Sequence, residues 1–288
     1  MIEELLVTAR HNPKIDPILG IWTWEISVYL FLGGLTAGII FFVALMNLMD
    51  KKEGYTFSTN RLALWAPIVL SIGMTTLFLD LEHKLYVFRF YTTLEPTSPM
   101  SWGAWVLSII YPIAILQILS TLRKGYPKIA EFAERIPLVP TVLDLSERYL
   151  KVISWIAIPS AIALGIYTGV LLSAFNARPF WNTGLLGPLF LISGMSTAAA
   201  FTILFAKEHD EKRLFTKFDL GLIAIELVLV VLLLINLATG SQQQLQALEY
   251  LTKGGGYAVA FWGAFFVFGL LVPLVVEFVD LVHANRTL

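Results

Sequence analysis

The 288 residues include no cysteine. This excludes disulfides and thiolate-ligated iron–sulfur clusters held by the chain itself. Histidine is nearly as scarce, with four: His11, His83, His209 and His283. None lies within an apolar run, although His83 and His283 stand at run ends. A b-type haem buried between helices needs axial ligands inside the bundle, so neither resident haem nor a metal site is expected. Electrons used by this chain must then enter on a partner. Charge is the third scarcity. Only 14% of residues are Asp, Glu, Lys or Arg, against about 25% in soluble domains. The net charge of −1 speaks against nucleic acid and against anionic substrates. No tandem repeat or low-complexity stretch stands out, and the short acidic start, Met1–Arg10, does not read as a cleavable signal peptide.

What the chain does have is apolar length. It is 57% hydrophobic with a mean hydropathy of +0.74, and its apolar residues fall in blocks of about 20, enough to cross a bilayer. The blocks predict seven helices: Trp22–Leu48, Leu62–Asp80, Trp102–Leu122, Val152–Phe175, Leu185–Phe205, Leu220–Leu237 and Ala258–Val279. The expected fold is an all-α polytopic membrane protein, one bundle over residues 1–288. Lys and Arg divide unevenly among the connections: six fall with the N-terminus and the even-numbered loops, fourteen with the odd-numbered loops and the C-terminus. The positive-inside rule then puts the N-terminus outside and the C-terminus inside. Six of the eight tryptophans fall near the outer interface: Trp22, Trp24, Trp102, Trp105, Trp181 and Trp262. The longest connection, Arg123–Lys151, is expected to be a solvated basic loop, with Pro127–Arg135 as a candidate interfacial helix. Gly34-x-x-x-Gly38, Gly165-x-x-x-Gly169 and the small-residue run Ser193–Ala200 permit close helix approach.

Candidate chemistry gathers at the outer ends. Glu25 and Tyr29 are four apart, so they share a helix face. A carboxyl group inside a membrane costs about 2.5–3.5 kcal/mol at the bilayer centre and less near the interface, so an acid kept there is a candidate for function. Asp80 ends the second span on the same side, where its alternatives are capping the next turn or pairing with Arg89. The fourth span brings Tyr167 to the outer half and exits through Phe175-Asn176-Ala177-Arg178-Pro179-Phe180-Trp181. An acid pair, two phenols, an amide, an arginine and aromatic plates at one depth suit a quinone. Its ring and tail need apolar walls, and its oxygens need hydrogen-bond partners. Its two-electron reduction consumes two protons, so a titratable group must lie within reach, and Glu25 is the candidate. Glu226 stands alone within the sixth apolar run. With Asp219, Glu277 and Asp280 it forms either a proton ladder or a set of structurally paired acids.

The motifs also carry a resemblance. Leu79-Asp80-Leu81-Glu82-His83-Lys84, then Arg89-Phe90, then Ser98-Pro99-Met100-Ser101-Trp102-Gly103-Ala104-Trp105 is similar to the LDLGRP…RF…SPMSWGAW pattern of the NrfD/polysulfide reductase membrane-subunit family. Tyr29–Gly38, Tyr167–Ala174 and Pro179-x-Trp181-Asn182 match that family too, so the likeness spans most of Trp22–Ala206 and fades in the last two helices. The resemblance implies a haem-free membrane subunit in the cytoplasmic membrane of a bacterium or archaeon. Such a subunit binds menaquinone or ubiquinone. It docks a four-cluster iron–sulfur protein, here expected on the outer face against the loops after the second and fourth spans. That protein connects to a molybdenum- or tungsten-bis-pyranopterin subunit, a hydrogenase or a multihaem cytochrome. By the shared Trp-x-Trp start, Glu25 or its neighbour and Tyr29 fall where polysulfide reductase has an asparagine and a histidine. Two departures stand out: Glu82-His83-Lys84 replaces Gly-Arg-Pro, and seven spans are read where the family commonly has eight.

The expectation is a quinone-reactive anchor with Glu25 and Tyr29 as catalytic groups. Trp22, Tyr167, Asn176 and Arg178 join them as quinone-binding residues, and Asp80 and Glu226 form a proton path. The alternatives are a proton-translocating module and a structural anchor without quinone. The charge count makes one direct prediction. Single cysteines introduced at Thr92 and Asn176 should react with an impermeant thiol reagent from the periplasmic side. The opposite labelling would invert the bundle.

Overall fold

The computed structural model describes residues 24–49, 54–175, 178–253 and 255–286, with side chains as far as His283. Among these residues seven helices are long and apolar enough to cross a membrane, as the sequence predicts. In chain order α1 is Trp24–Leu48, α2 Phe57–Asp80 and α3 Pro99–Gly125, followed by the short α4 (Pro127–Ala133) and α5 (Val139–Arg148). Next come α6 (Leu150–Ser173), α7 (Leu186–Phe205), α8 (His209–Thr239), the short α9 (Gln242–Thr252) and α10 (Gly256–His283). The described residues form no strand. The protein is an all-α multi-pass membrane protein. Helices are the natural solution, because hydrocarbon offers no partner for an open backbone N–H or C=O.

The ends of the helices are chemically marked. Pro99 and Pro127 open α3 and α4 at the position where the missing N–H costs nothing. Ser241 and Gln244 close a reciprocal capping box at the start of α9. Helix α2 starts wide, as a π turn over Phe57–Arg61, and becomes regular at Trp65. Its first N–H groups are capped from another helix. The fully buried Glu211 of α8 accepts from Ser58 N at 2.6 Å and from Phe57 N at 3.3 Å. A carboxylate at a helix N-terminus is favoured by the helix dipole as well as by the bonds. Beside it Glu208 accepts from Thr56 Oγ1 at 2.7 Å, which holds its carboxyl below the usual carboxylate range.

These bonds explain one difference from the sequence reading. The sixth span begins at His209, not Leu220, because its acids are satisfied by neighbours and need no water. The connection after α3 differs too. It is two short helices rather than a solvated loop, because Leu122, Ala130 and Leu143 form a small apolar core there. Arg123 ties it down, reaching Glu134, Asp144 and Glu147 at 2.7, 2.5 and 3.5 Å.

Helix α1 is the hub. It packs against α2, α6 and α7, while α3 lies on α6 and α8 lies on α7. The glycine motifs are where backbones meet. A Cβ on Gly38 would stand 2.5 Å from both the Ala198 Cβ and the Gly194 carbonyl oxygen, and one on Gly194 would stand 2.5 Å from the Gly34 oxygen. A Cβ on Gly169 would collide with the backbone of Leu186 and Gly187. Without a hydrophobic drive between helices in lipid, close packing of this kind supplies much of the association. At the lower end α1 is tied to α3 by buried Gln117, whose Nε2 donates to the Ile40 carbonyl at 3.1 Å.

Helix α1 begins, α2 ends, α3 begins and α6 ends at one face of the bundle, called upper here; α4 and α5 lie at the lower face. Gly38→Ala should cost about 1–3 kcal/mol, as overpacking does. Gly33→Ala, which meets nothing within 4 Å, should be neutral or stabilising by up to about 1 kcal/mol. Thermal melting in detergent compares the two.

Candidate functional site

A cavity of about 350 Å³ opens in the upper half of the bundle, between α1, α2, α3, α6 and the loop after α2. Its size falls within the roughly 300–1,000 Å³ usual for small-molecule pockets. Most of its wall is apolar: Leu30, Met74, Leu77, Phe78, Leu107 and Leu171 among others. The polar minority is Tyr29, Asp80, Glu82, Tyr91 and Tyr167.

Each polar group is held by its own element. Tyr29 sits one turn into α1 and is 4% exposed. Tyr167 comes from α6 and is 7% exposed. Neither hydroxyl has a hydrogen-bond partner among the described residues. Buried phenols normally find one, so both are available to something in the cavity. Tyr167 can reach the wall because α3 carries Gly103 opposite it: a Cβ there would overlap the Tyr167 hydroxyl and ring. The glycine in Trp102-Gly103-Ala104-Trp105 is thus the space that the phenol occupies. Asp80 is the last residue of α2, so its carboxyl faces the cavity where the helix ends. Tyr91 belongs to the loop outside the spans. Burial, and then the neighbouring Tyr111, push its hydroxyl above the ordinary phenol range, so it stays a neutral donor. Tyr111 in turn lies 3.2 Å from Ser71 Oγ.

The sequence-selected residues divide into groups. Tyr29, Asp80 and Tyr167 come together on the cavity wall. Glu25 is half-buried one turn above Tyr29 and interacts electrostatically with Asp80. It lies next to the cavity rather than on its lining; the carboxyls that border the space are Asp80 and Glu82. Trp22 and Asn176 lie outside the described residues. Arg178 is exposed, over the Trp181 ring at 5.9 Å, and does not border the cavity. Arg89 lies over Tyr86 at 4.5 Å rather than pairing with Asp80. Glu226 belongs to a different place on α8, buried at 2% exposure. Tyr91 and Glu82 were not selected from the sequence. No periodicity marks a loop residue as a cavity wall; only the departure from Gly-Arg-Pro hinted at Glu82.

A family model described as polysulphide reductase, NrfD, matches residues 10–287. The chain belongs to the NrfD family. It is 28% identical over 266 residues to a polysulfide reductase chain of Wolinella succinogenes, with 89% of this protein and 83% of the relative covered. It is 26% identical over 267 residues to protein NrfD of Escherichia coli, with 89% and 84% covered. A selenate reductase subunit of Mesobacillus selenatarsenatis is 22% identical over 223 residues, with 69% and 51% covered. Membrane subunits of reductase complexes are therefore what this NrfD-family protein resembles along nearly its whole length.

The fit of Gly103 against Tyr167 is testable by stability alone. Gly103→Ala should destabilise the protein by about 1–3 kcal/mol. Tyr167→Leu in the same molecule should recover part of that loss, because the ring is what the methyl strikes. A double-mutant cycle of melting temperatures measures the coupling.

Proposed function

We propose that this protein is the quinone-reactive membrane subunit of a respiratory oxidoreductase, exchanging electrons between membrane quinone and a partner iron–sulfur protein. The observation that carries the reading is the upper cavity: apolar walls with two buried phenols of unfilled hydrogen-bonding capacity and a carboxyl at one end. Family membership supports it, and so do relatives named as parts of polysulfide and selenate reductases. The cavity suits the headgroup of menaquinone or ubiquinone, which supplies two-electron, two-proton chemistry when bound. The Tyr29 and Tyr167 hydroxyls donate hydrogen bonds to carbonyl oxygens. Asp80 holds a proton at the wall, and Glu25 beside it is the second carboxyl in line. Met74, Leu77 and Leu107 exclude water.

The partner is placed at the upper face, on the periplasmic side by the charge count. Leu85 is 89% exposed, and Phe88, Leu94 and Trp102 are also exposed around the mouth of the cavity. A molybdenum- or tungsten-bis-pyranopterin subunit, a hydrogenase or a multihaem cytochrome completes the series of electron carriers beyond the iron–sulfur protein.

A second reading, proton translocation, is favoured by the lower acids. Ser196 Oγ donates to Asp219 at 2.5 Å, and Asp219 interacts electrostatically with Glu277 of α10. With Glu226 this line of groups supports a path toward the lower face, and it is compatible with the first reading.

In the assembled complex, Asp80→Asn should lower quinone turnover about 10²-fold, the scale of a positioned acid–base group. Glu25→Gln should lower it less. Tyr29→Phe should weaken quinone binding by about 0.5–1.5 kcal/mol, the net worth of one hydrogen bond. The partner's activity with a soluble dye should survive all three. A purified complex that binds no quinone would leave only a structural anchor.

A further inference from the structure

A second cavity, of about 530 Å³, lies against the first on its upper side. The two share four wall residues: Leu81, Glu82, Phe90 and Met100. Three of these are apolar. Glu82 is the one titratable side chain that borders both spaces. The second cavity is otherwise a solvent-facing vestibule whose wall includes exposed His83, Arg89, Thr93 and Glu95. Glu82, itself exposed, stands at the passage between the inner cavity and the vestibule.

We propose that Glu82 carries protons between the quinone cavity and the upper aqueous face. The proposal rests on the quinone reading. Quinone reduction there takes two electrons, one at a time, from the partner iron–sulfur protein and two protons, one bonding to each quinone oxygen; oxidation releases both. Glu82 relays those protons between Asp80 on the inner side and His83 or water on the outer side, and it returns to its starting state after each transfer. The alternatives around it are poorly suited. Glu95 is kept ionised: the Thr97 hydroxyl and N–H both donate to it and hold its carboxyl below the usual range. Arg89 and Lys84 carry permanent charge, with Lys84 donating to the Leu81 carbonyl at 2.9 Å. Tyr29, Tyr91 and Tyr167 share the inner cavity's wall with Glu82 as neutral donors, and Glu25 of α1 interacts electrostatically with Asp80. Phe90 and Met100 leave an apolar wall elsewhere, which does not conduct protons.

The test uses the purified complex containing this protein, with a short-chain quinol. Glu82→Gln should slow steady-state quinol turnover at least 10-fold through kcat while leaving quinol binding unchanged. Glu82→Asp should restore most of the rate, and added acetate should partly rescue Glu82→Gln, because a small mobile acid replaces the missing carrier. In proteoliposomes oriented by a label at Thr92, a pH dye should detect the protons on the Thr92 side. Full turnover in Glu82→Gln, loss of binding along with rate, or protons appearing only on the opposite side each overturns the route. Failure of the wild-type complex to bind quinol overturns the quinone reading itself, a distinct result.

Discussion

The close approach of α1 to α7 is the contact on which the rest of the bundle depends. Gly34 and Gly38 let the α1 backbone lie against Gly194 and Ala198 with no room for a side chain between. Lipid is as apolar as leucine, so burying leucine gains little, and contact density decides which helices pair. With α1 seated on α7, its other faces meet α6 and α2, and Tyr29 points between α2, α3 and α6 instead of toward lipid. The cavity lies where the upper end of this hub meets α2, α3 and α6.

Polar groups in this protein follow the same demand for close partners. Glu211 satisfies the start of α2, Asp219 is met by Ser196, and Gln117 reaches the Ile40 carbonyl. Each ties two elements together at a point where an unpaired group would cost several kcal/mol in hydrocarbon. The hydroxyls of Tyr29 and Tyr167 differ in their setting: both line a cavity, so the partner they lack among the described residues can come from a ligand there.

The two acid-rich regions differ in kind. The upper one borders cavities that lead to water through the exposed loop between α2 and α3. The lower one is threaded between helices, where Ser196 of α7 donates to Asp219. The proposed quinone site and the lower titratable groups therefore lie in separate parts of the bundle, so the two proposed readings do not compete for residues.

The sequence by itself determined the membrane class, the seven spans, the absence of thiolate ligands and the family, because apolar length, cysteine content and short motifs are local properties. It also selected Tyr29, Asp80 and Tyr167, since polar residues at the ends of apolar runs are conspicuous. It put Glu25 ahead of Asp80, yet Asp80 borders the cavity and Glu25 does not, because that depends on the rotation of α1 relative to the end of α2. Nor could it show why Gly103 is a glycine, which is a matter of a phenol arriving from a helix more than sixty residues away. It set the start of α8 too late, since Glu211 and Asp219 look like loop residues until their partners on α2 and α7 are known. Tyr91 and Glu82 became wall residues only through the path of a loop, and no periodic signal records that. Tertiary structure decided these points because each is a contact between segments distant in the chain, made where water cannot substitute for the missing partner.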